Sequence, residues 1–206
     1  MKYVNELTER YPALSQIKAD IESAVAKIVE SYKNGGKVLL CGNGGSASDS
    51  DHVAGEFLKG FLMKREPKGE ELKRLSESLG DDAVKLQRGI PAIPLPQLSG
   101  VLSAFANDVD PSLVYAQLVY ALGNEKDVLM AFSTSGNSVN TVKAAKSAKA
   151  KGMFVISLTG AGGGKLLSDS DICLRAPECE TFKVQEYHLP IYHAICAEVE
   201  YELFGE

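Results

Sequence analysis

Five short apolar runs, separated by longer segments of helical period, constrain the fold of this 206-residue chain more than any other feature. Each run is typical of a strand that is buried on both faces. The predicted strands are 37–41, 91–95, 127–132, 153–158 and 171–175. Because crossover helices shield both faces of a parallel sheet, the alternation predicts an α/β, doubly wound (flavodoxin-like) fold with a parallel five-stranded sheet and helices on both faces.

The helical periods predict the elements between the strands. An N-terminal amphipathic helix at 13–34 has an apolar seam near heptad spacing, which can pack on its own sheet or on another subunit. The stretch 64–88 is rich in charges of both signs and is predicted to be a solvated amphipathic helix inserted into a single domain of residues 1–206. Further helices are predicted at 47–63, 114–122, 139–151 and 182–204.

Composition excludes several classes of protein. The net charge of −5 argues against a nucleic-acid-binding protein, because such a protein needs a clustered basic surface. No apolar run is long enough to span a bilayer, and the first residues have no signal-peptide core, so we expect no membrane partner and a cytoplasmic location. Four cysteines without CxxC spacing predict buried small hydrophobic side chains instead of a disulfide framework.

Two turns rich in glycine and hydroxyl groups follow predicted strands, at the sheet edge where such folds bind ligands. The turn Ser133–Ser138 opens a helix, whose free first-turn N–H groups and dipole favour a phosphate; a plain strand-to-helix connection is the alternative. The turn Gly42–Ala47 formally matches a dinucleotide fingerprint, but no second strand supplies the acidic residue that holds the ribose. The stretch Gly160–Leu166 fails the Walker spacing and is interpreted as a flexible loop.

Four residues form a candidate metal site. His52 and Glu56 are four apart on the helix that leaves the glycine turn, so they share a face. Gln185 and His193 are eight apart and can share a broad face of the last helix. Two imidazoles, a carboxylate and an amide suit a borderline divalent ion such as zinc, although an isolated His–Glu pair is more often an ordinary surface pair.

Together these motifs resemble the sugar isomerase (SIS) domain family and, within it, the phosphoheptose isomerases. The resemblance covers the chain from about Leu14 onward, apart from the charged insertion, and rests on Cys41–Ser46, His52 with Glu56, Asn107-Asp108, Ser133–Ser138 and Gln185-Glu186-x-His188 with His193. It implies an aldose-ketose isomerase that converts sedoheptulose 7-phosphate to D-glycero-D-manno-heptose 7-phosphate, in a homotetramer with sites between subunits.

The resemblance also implies a role for each residue. Glu56 would take the proton from the carbon next to the carbonyl, and His193 would exchange a proton with the sugar oxygens near neutral pH, through an enediol. One Zn²⁺ per subunit would be held by His52, Glu56, Gln185 and His193. The phosphosugar would be bound by Asn43, Gly44, Gly45, Ser46, Asn107, Asp108, Ser133, Thr134, Ser135, Ser138 and Gln185.

Three features depart from the family pattern. Gly60 stands where the family often has a basic residue, with Lys59 adjacent. Pro190 removes a helical hydrogen bond between Gln185 and His193 and could kink the last helix. The charged insertion could cover the pocket or alter subunit contacts.

Two other functions stay open from the sequence. One is a non-catalytic SIS module that binds a sugar phosphate or a protein partner such as a replication initiator, and the other is a nucleotide-dependent enzyme. Such modules need not keep a glutamate and a histidine at these positions, so the presence of Glu56 and His193 favours the enzyme.

Overall fold

Hydrogen bonding between parallel strands confirms the predicted sheet. In the computed structural model, which describes residues 1–205, the strand order is β2-β1-β3-β4-β5. The strands are β1 (Val38–Cys41), β2 (Ala92–Pro94), β3 (Val128–Phe132), β4 (Phe154–Thr159) and β5 (Ile172–Arg175). After β2 the chain crosses to the other side of β1, so the order reverses between β1 and β3. The turns that follow these two strands therefore flank the point where doubly wound folds bind ligands.

Helices cover both faces of this sheet. They are α1 (Lys2–Arg10), α2 (Lys18–Lys33), α3 (Gly45–Leu58), α4 (Gly69–Leu79), α5 (Ser99–Asp108), α6 (Val114–Leu122), α7 (Val139–Ala150), α8 (Leu166–Asp169) and α9 (Thr181–Phe204). Within residues 1–205, no helix is both long and apolar enough to cross a membrane.

Alternating strand residues pack into two separate hydrophobic cores, one on each face of the sheet. Leu40 of β1 and Met130 of β3 pack against α2, α3 and α9 on one face, while Leu39 and Leu129 pack against α6 and α7 on the other. Successive strand side chains point to opposite faces, so a strand that is covered on both sides needs apolar residues at every position. For this reason the strands appear in the sequence as continuous apolar runs.

Three predicted helices have wrong boundaries, and one of them is the helix predicted over 64–88, where only Gly69–Leu79 is α-helical. The helix predicted at 13–34 begins only at Lys18, because Pro12–Ile17 forms a tighter 3-10 turn before it. The helix predicted at 47–63 ends at Leu58, since Lys59 adopts an extended conformation. Helices α1, α5 and α8 were not predicted at all, although Val4 and Leu7 in α1 have helical spacing and are buried.

The charged insertion is solvated as predicted only in part, since Arg65, Pro67 and Ala83 are buried. Helix α4 has no buried residue. Arg65, by contrast, has a fully buried side chain, so treating the whole stretch as solvated is wrong. The cysteine prediction holds for Cys41 and Cys196, which are buried, and is wrong for Cys179, which is exposed.

Candidate active site

The glycine turn after β1 has a backbone that only glycine fits. Gly44 has φ of 55° and ψ of −123°, outside the usual range of residues with side chains. A Cβ on Gly42 would lie 2.5 Å from the carbonyl oxygen of Ser46, so the turn can close this tightly only without one. The N–H groups of the first turn of α3 begin directly after this bend.

The serine turn after β3 brings its hydroxyl groups together. The hydroxyls of Ser133 and Ser138 lie 3.0 Å apart, and Ser135 Oγ accepts the backbone N–H of Asn137 at 3.2 Å. Ser138 precedes α7 without a capping hydrogen bond from its own side chain. The hydroxyls and the free N–H groups at the start of α7 therefore form the arrangement expected of a phosphate-binding turn.

The segment Gly160–Leu166 supports the serine turn, so interpreting it as a free flexible loop is wrong. The N–H of Gly160 donates to Thr134 O at 2.9 Å, and the N–H of Leu166 donates to Gly136 O at 3.1 Å. A Cβ on Gly136 would lie 1.9 Å from the carbonyl oxygen of Gly163. The glycines of this segment thus permit a close backbone approach that holds the serine turn in place.

A reciprocal amide pair joins the two turns. Asn43 Nδ2 donates to Asn140 Oδ1 at 2.8 Å, and Asn140 Nδ2 donates to Asn43 Oδ1 at 2.9 Å. Asn140 was not predicted as a site residue. The one indication of it in the sequence is its place in the first turn of α7, just after the serine turn. The pair fixes the spacing between the predicted sugar and phosphate turns.

His52, Glu56 and His193 converge on the face that α3 shares with α9. His52 Nε2 lies 3.3 Å from Glu56 Oε1 and 3.4 Å from His193 Nε2. The glutamate is one helical turn beyond His52, whereas His193 comes from a distant part of the chain. Pro190 lies within α9, which continues through it. The predicted catalytic pair therefore meets within one chain, with His52 between its members.

Burial changes the acid–base properties of this cluster. Burial is the main cause that lowers the pKa of His193, a nearby charge on His52 lowers it further, and Glu56 acts in the opposite direction. His193 is therefore held mostly neutral at pH 7, with a ring nitrogen free to accept a proton.

Two neighbouring groups complete the cluster, and sequence analysis did not identify either. Tyr192 Oη lies 3.0 Å from His52 Nδ1 and donates to Asp49 Oδ1 at 3.4 Å. Burial raises the pKa of Asp49 to about 6, against the opposing effects of the Tyr192 hydrogen bond and of His52. The spacing of Asp49 and His52, three apart on α3, was the one available signal.

Lys59 neutralises part of the charge on Glu56. Its Nζ lies 2.9 Å from Glu56 Oε2, and its side chain is more than half exposed. Gly60, where the resemblance expected a basic residue, instead donates its N–H to Gln87 of the insertion at 2.6 Å. A cation thus reaches the carboxylate from the adjacent position.

Gln185 contacts the start of α3, the helix that also carries His52 and Glu56. A Cβ on Gly45 would come within 2.0 Å of Gln185 Nε2, so the amide covers the first turn of α3. Gln185 and His193 are eight residues apart, which separates them by about 12 Å along a helix axis. The structure therefore places Gln185 beside the glycine turn, where a bound sugar would reach it.

The remaining predicted sugar contacts lie on α5. Asn107 and Asp108 are exposed in its last turn, and the Asn107 amide donates to the Asp108 carboxylate at 2.9 Å. Within residues 1–205, no hydrogen bond joins these two to the other predicted site residues. Thr134 is partly buried in the serine turn, and Ser46 is buried in the first turn of α3.

A groove reaches His193 from the side of α1. Its volume is about 390 Å³, and it is lined by Tyr11, Phe61, Pro190 and other residues of α1 and α9. Phe61 also packs on the His193 ring, with 5.6 Å between the ring centroids. His193 therefore lines this groove with one aromatic ring packed against its own.

The cluster has the donor types and spacing for zinc. Tetrahedral zinc bonds of about 2.0–2.1 Å place two donor atoms about 3.3–3.4 Å apart. The two separations around His52 Nε2 match this spacing. No group of three or more His, Cys, Asp or Glu side chains within residues 1–205 is arranged to hold a metal ion as it stands. The spacing suits zinc for each of these two pairs, but not for the three residues as one set.

A buried ion pair holds the end of α3 that carries Glu56. Arg65 Nε donates to Glu200 Oε1 at 2.6 Å, and both side chains are fully buried. The other guanidinium nitrogens donate to the carbonyl oxygens of Phe57 at 2.7 Å and Glu56 at 2.9 Å. Arg65 thereby satisfies carbonyls that the end of the helix leaves unpaired.

Comparison with known proteins relates this geometry to a family. A sequence model described as "SIS domain" matches residues 2–82 and 89–160. Phosphoheptose isomerase of Burkholderia pseudomallei (strain K96243) is 36% identical over 208 residues, which cover 98% of this chain and 94% of the relative. That of Methylibium petroleiphilum is 40% identical over 197 residues, which cover 94% and 88%. The structure of phosphoheptose isomerase GmhA from Neisseria gonorrhoeae superimposes with a TM-score of 0.75 at 30% identity, covering 96% of this chain and 92% of the other.

Proposed function

The chain belongs to the SIS domain family, and from that premise we propose that it is a phosphoheptose isomerase, which interconverts sedoheptulose 7-phosphate and D-glycero-D-manno-heptose 7-phosphate. The relatives that carry this name match nearly the whole chain. The fold alone would not decide the activity, because one fold hosts many functions. The residues of the site therefore decide the activity.

The convergence of Glu56 and His193 around His52 is the observation that carries the proposal. Moving a carbonyl between C1 and C2 requires a group that removes a proton from one carbon and returns it to the next. It also requires a group that exchanges a proton with the sugar oxygens. A carboxylate and a neutral imidazole that meet at one point can divide these tasks. A module that only binds a sugar phosphate needs neither.

In the proposed mechanism, Glu56 transfers the proton between carbons. Its carboxylate is mostly buried, and the contacts with His52 Nε2 and Lys59 Nζ hold its two oxygens in place. His193 accepts or returns the hydroxyl proton as the enediol forms and collapses. The lowered pKa of His193 keeps its ring neutral and able to accept that proton.

The serine turn is proposed to bind the phosphate. Ser133, Ser135 and Ser138 offer hydroxyl donors beside the first N–H groups of α7, and Thr134 adds a fourth hydroxyl. The Asn43–Asn140 pair keeps the glycine turn beside it, so the sugar would extend from the phosphate toward α3. Phosphate binding then contributes to orienting the reacting carbons.

We also propose that zinc binds to His52, Glu56 and His193, with Gln185 as the further ligand that the resemblance implies. A divalent ion bound there would polarise the sugar carbonyl and stabilise negative charge as it develops. The two donor separations around His52 support the proposal. The homotetramer and the cytoplasmic location remain predictions from the resemblance and the sequence; light scattering of the purified protein would measure the first.

The decisive experiment incubates the purified chain with ketose phosphates of five to seven carbons and follows aldose formation. We expect the greatest activity with sedoheptulose 7-phosphate and a loss of at least about 100-fold in kcat for Glu56→Gln, since a general base contributes about 10²–10⁴-fold. Glu9→Gln, an exposed change on α1, is the matched control. An inactive wild-type protein, or a fully active Glu56→Gln, would contradict the proposal.

Zinc is tested separately by elemental analysis of protein purified without chelator. We expect about one zinc per chain, as a single set of these ligands would hold. No zinc together with full activity after chelation would remove the metal and leave the two proton-transferring groups in place.

A further inference from the structure

A buried tyrosine lies between Asp49 and His52. Tyr192 is 1% exposed, and its Oη lies 3.0 Å from His52 Nδ1 and 3.4 Å from Asp49 Oδ1. The other oxygen of Asp49 is buried and has no hydrogen-bond partner among the described residues. The three side chains thus form a chain of hydrogen bonds that runs from a carboxylate to the imidazole, on the side of the ring opposite Glu56.

The donors and acceptors in this chain can be assigned from their chemistry. An ionised carboxylate only accepts hydrogen bonds, so the Tyr192 hydroxyl proton points to Asp49. The Tyr192 oxygen is then left with lone pairs, and the bond to His52 requires a proton on Nδ1. A neutral ring that carries its proton on Nδ1 has its lone pair on Nε2.

We propose that Tyr192 is a positioning residue for His52, which together with Asp49 holds the neutral imidazole in the Nδ1–H tautomer and turns the Nε2 lone pair toward Glu56 and His193. This role of Tyr192 rests on the proposed function only because that function makes His52 part of the active site. No motif of the resemblance includes Tyr192.

The tautomer decides what the cluster can hold. With the Nε2 lone pair of His52 facing the Glu56 carboxylate at 3.3 Å and a ring nitrogen of His193 at 3.4 Å, the three groups present acceptors to one region. Such a region attracts a cation, and without one the Nε2 lone pair of His52 can accept a hydrogen bond from His193 Nε2. In the opposite tautomer, the Nε2–H of His52 would donate to Glu56 and block that nitrogen as a metal ligand.

Nitrogen NMR of the metal-free full chain tests the tautomer directly. The chain has three histidines, so ¹⁵N-histidine labelling gives a simple two-bond ¹H–¹⁵N spectrum that single His→Gln variants assign. At a pH where the rings are neutral, we expect His52 to be protonated on Nδ1 in the wild type. In Tyr192→Phe, which keeps the packed ring and removes the hydroxyl, we expect the Nε2–H form to increase.

Two further variants sharpen the comparison. Asp49→Leu removes the acceptor, which frees the Tyr192 hydroxyl to donate to His52 Nδ1 and should move the ring proton to Nε2. Tyr32→Phe on α2 removes a tyrosine hydroxyl elsewhere and should leave the His52 signals unchanged. An Nε2–H tautomer in the wild type, or an Nδ1–H tautomer that persists in Tyr192→Phe, would overturn the proposal.

Zinc affinity supplies a second readout, measured by competition with a chromophoric chelator. Loss of a group that orients a metal-binding histidine typically weakens affinity by about 10–100-fold, which is the effect expected for Tyr192→Phe. An unchanged affinity would also count against the positioning role. A wild-type protein that binds no zinc but shows the Nδ1–H tautomer of His52 would contradict the proposed zinc site and support the role of Tyr192. Failure of the zinc proposal can therefore be distinguished from failure of the Tyr192 proposal.

Discussion

Replacing Glu200 by Gln should destabilise the protein more than any other single isosteric change in its charged residues. The Glu200 carboxylate is fully buried and accepts four hydrogen bonds. One comes from Arg65 Nε, and the others come from the backbone N–H groups of Phe61 and Leu62 at 2.7 Å each and of Met63 at 3.1 Å. A glutamine has the same shape, one acceptor oxygen and no charge.

The expected loss of unfolding free energy follows from the groups that stay buried without their carboxylate partner in the variant. The guanidinium of Arg65 stays buried with two neutral carbonyl partners, and breaking a buried pair in this way costs about 3–5 kcal/mol. Part of the cost comes from backbone N–H groups that face the new amide hydrogens. For a domain of this size, we expect the melting temperature to fall by about 6–20 °C, from about 2–4 °C per kcal/mol.

Urea unfolding measures the change as a shift in midpoint at constant slope. Glu202→Gln, an exposed change on the same helix, is the matched control and should stay within about 0.5 kcal/mol of the wild type. Glu198→Gln offers a graded comparison. Glu198 is buried and accepts three backbone N–H bonds at the start of α1 but has no buried cation, so its loss should be smaller, about 1–3 kcal/mol. If Glu200→Gln costs less than about 1 kcal/mol, the buried charge is not held as described.

The remaining predictions concern other positions. Burial lowers the pKa of His188 from 6.5 to about 4. Between these pH values the unfolded chain binds a proton at His188 that the folded chain does not bind. The free energy of unfolding should therefore fall by up to about 3 kcal/mol as the pH drops from 6.5 to 4. Urea titrations at several pH values should show this fall in the wild type but not in His188→Leu. Ser135→Ala should weaken inhibition by phosphorylated sugars about tenfold or more while sparing free sugars, since hydrogen bonds to charged groups contribute about 1.5–3 kcal/mol; equal losses would argue against the phosphate turn. In Gly45→Ala, the new Cβ must displace the Gln185 amide, so KM should rise while the melting temperature changes little, and an unchanged KM would separate Gln185 from substrate binding.

Local patterns were sufficient for the strands, most helices and the positions of the glycine turn and the serine turn. The period of apolar residues reports which side chains face a core, because backbone geometry sets the direction of each Cβ. The pairing of His52 with Glu56 is local in the same sense, since residues four apart on a helix share a face. Helix α1 was missed although its period was present, and the end of α3 was misplaced although Gly60, a residue type that favours a helix end, directly follows its C-cap residue Lys59.

Contacts between distant segments depended on how the helices cross, which no local period encodes. The sequence alone could propose that His193 joins His52, but only the packing of α9 along α3 placed their ring nitrogens 3.4 Å apart and Gln185 at Gly45. That same packing brought Tyr192 to His52 and buried Arg65 against Glu200. The physical reason is that a helix or strand follows from interactions between near neighbours in the chain, whereas an active site requires specific atoms of separate elements to meet within hydrogen-bonding distance.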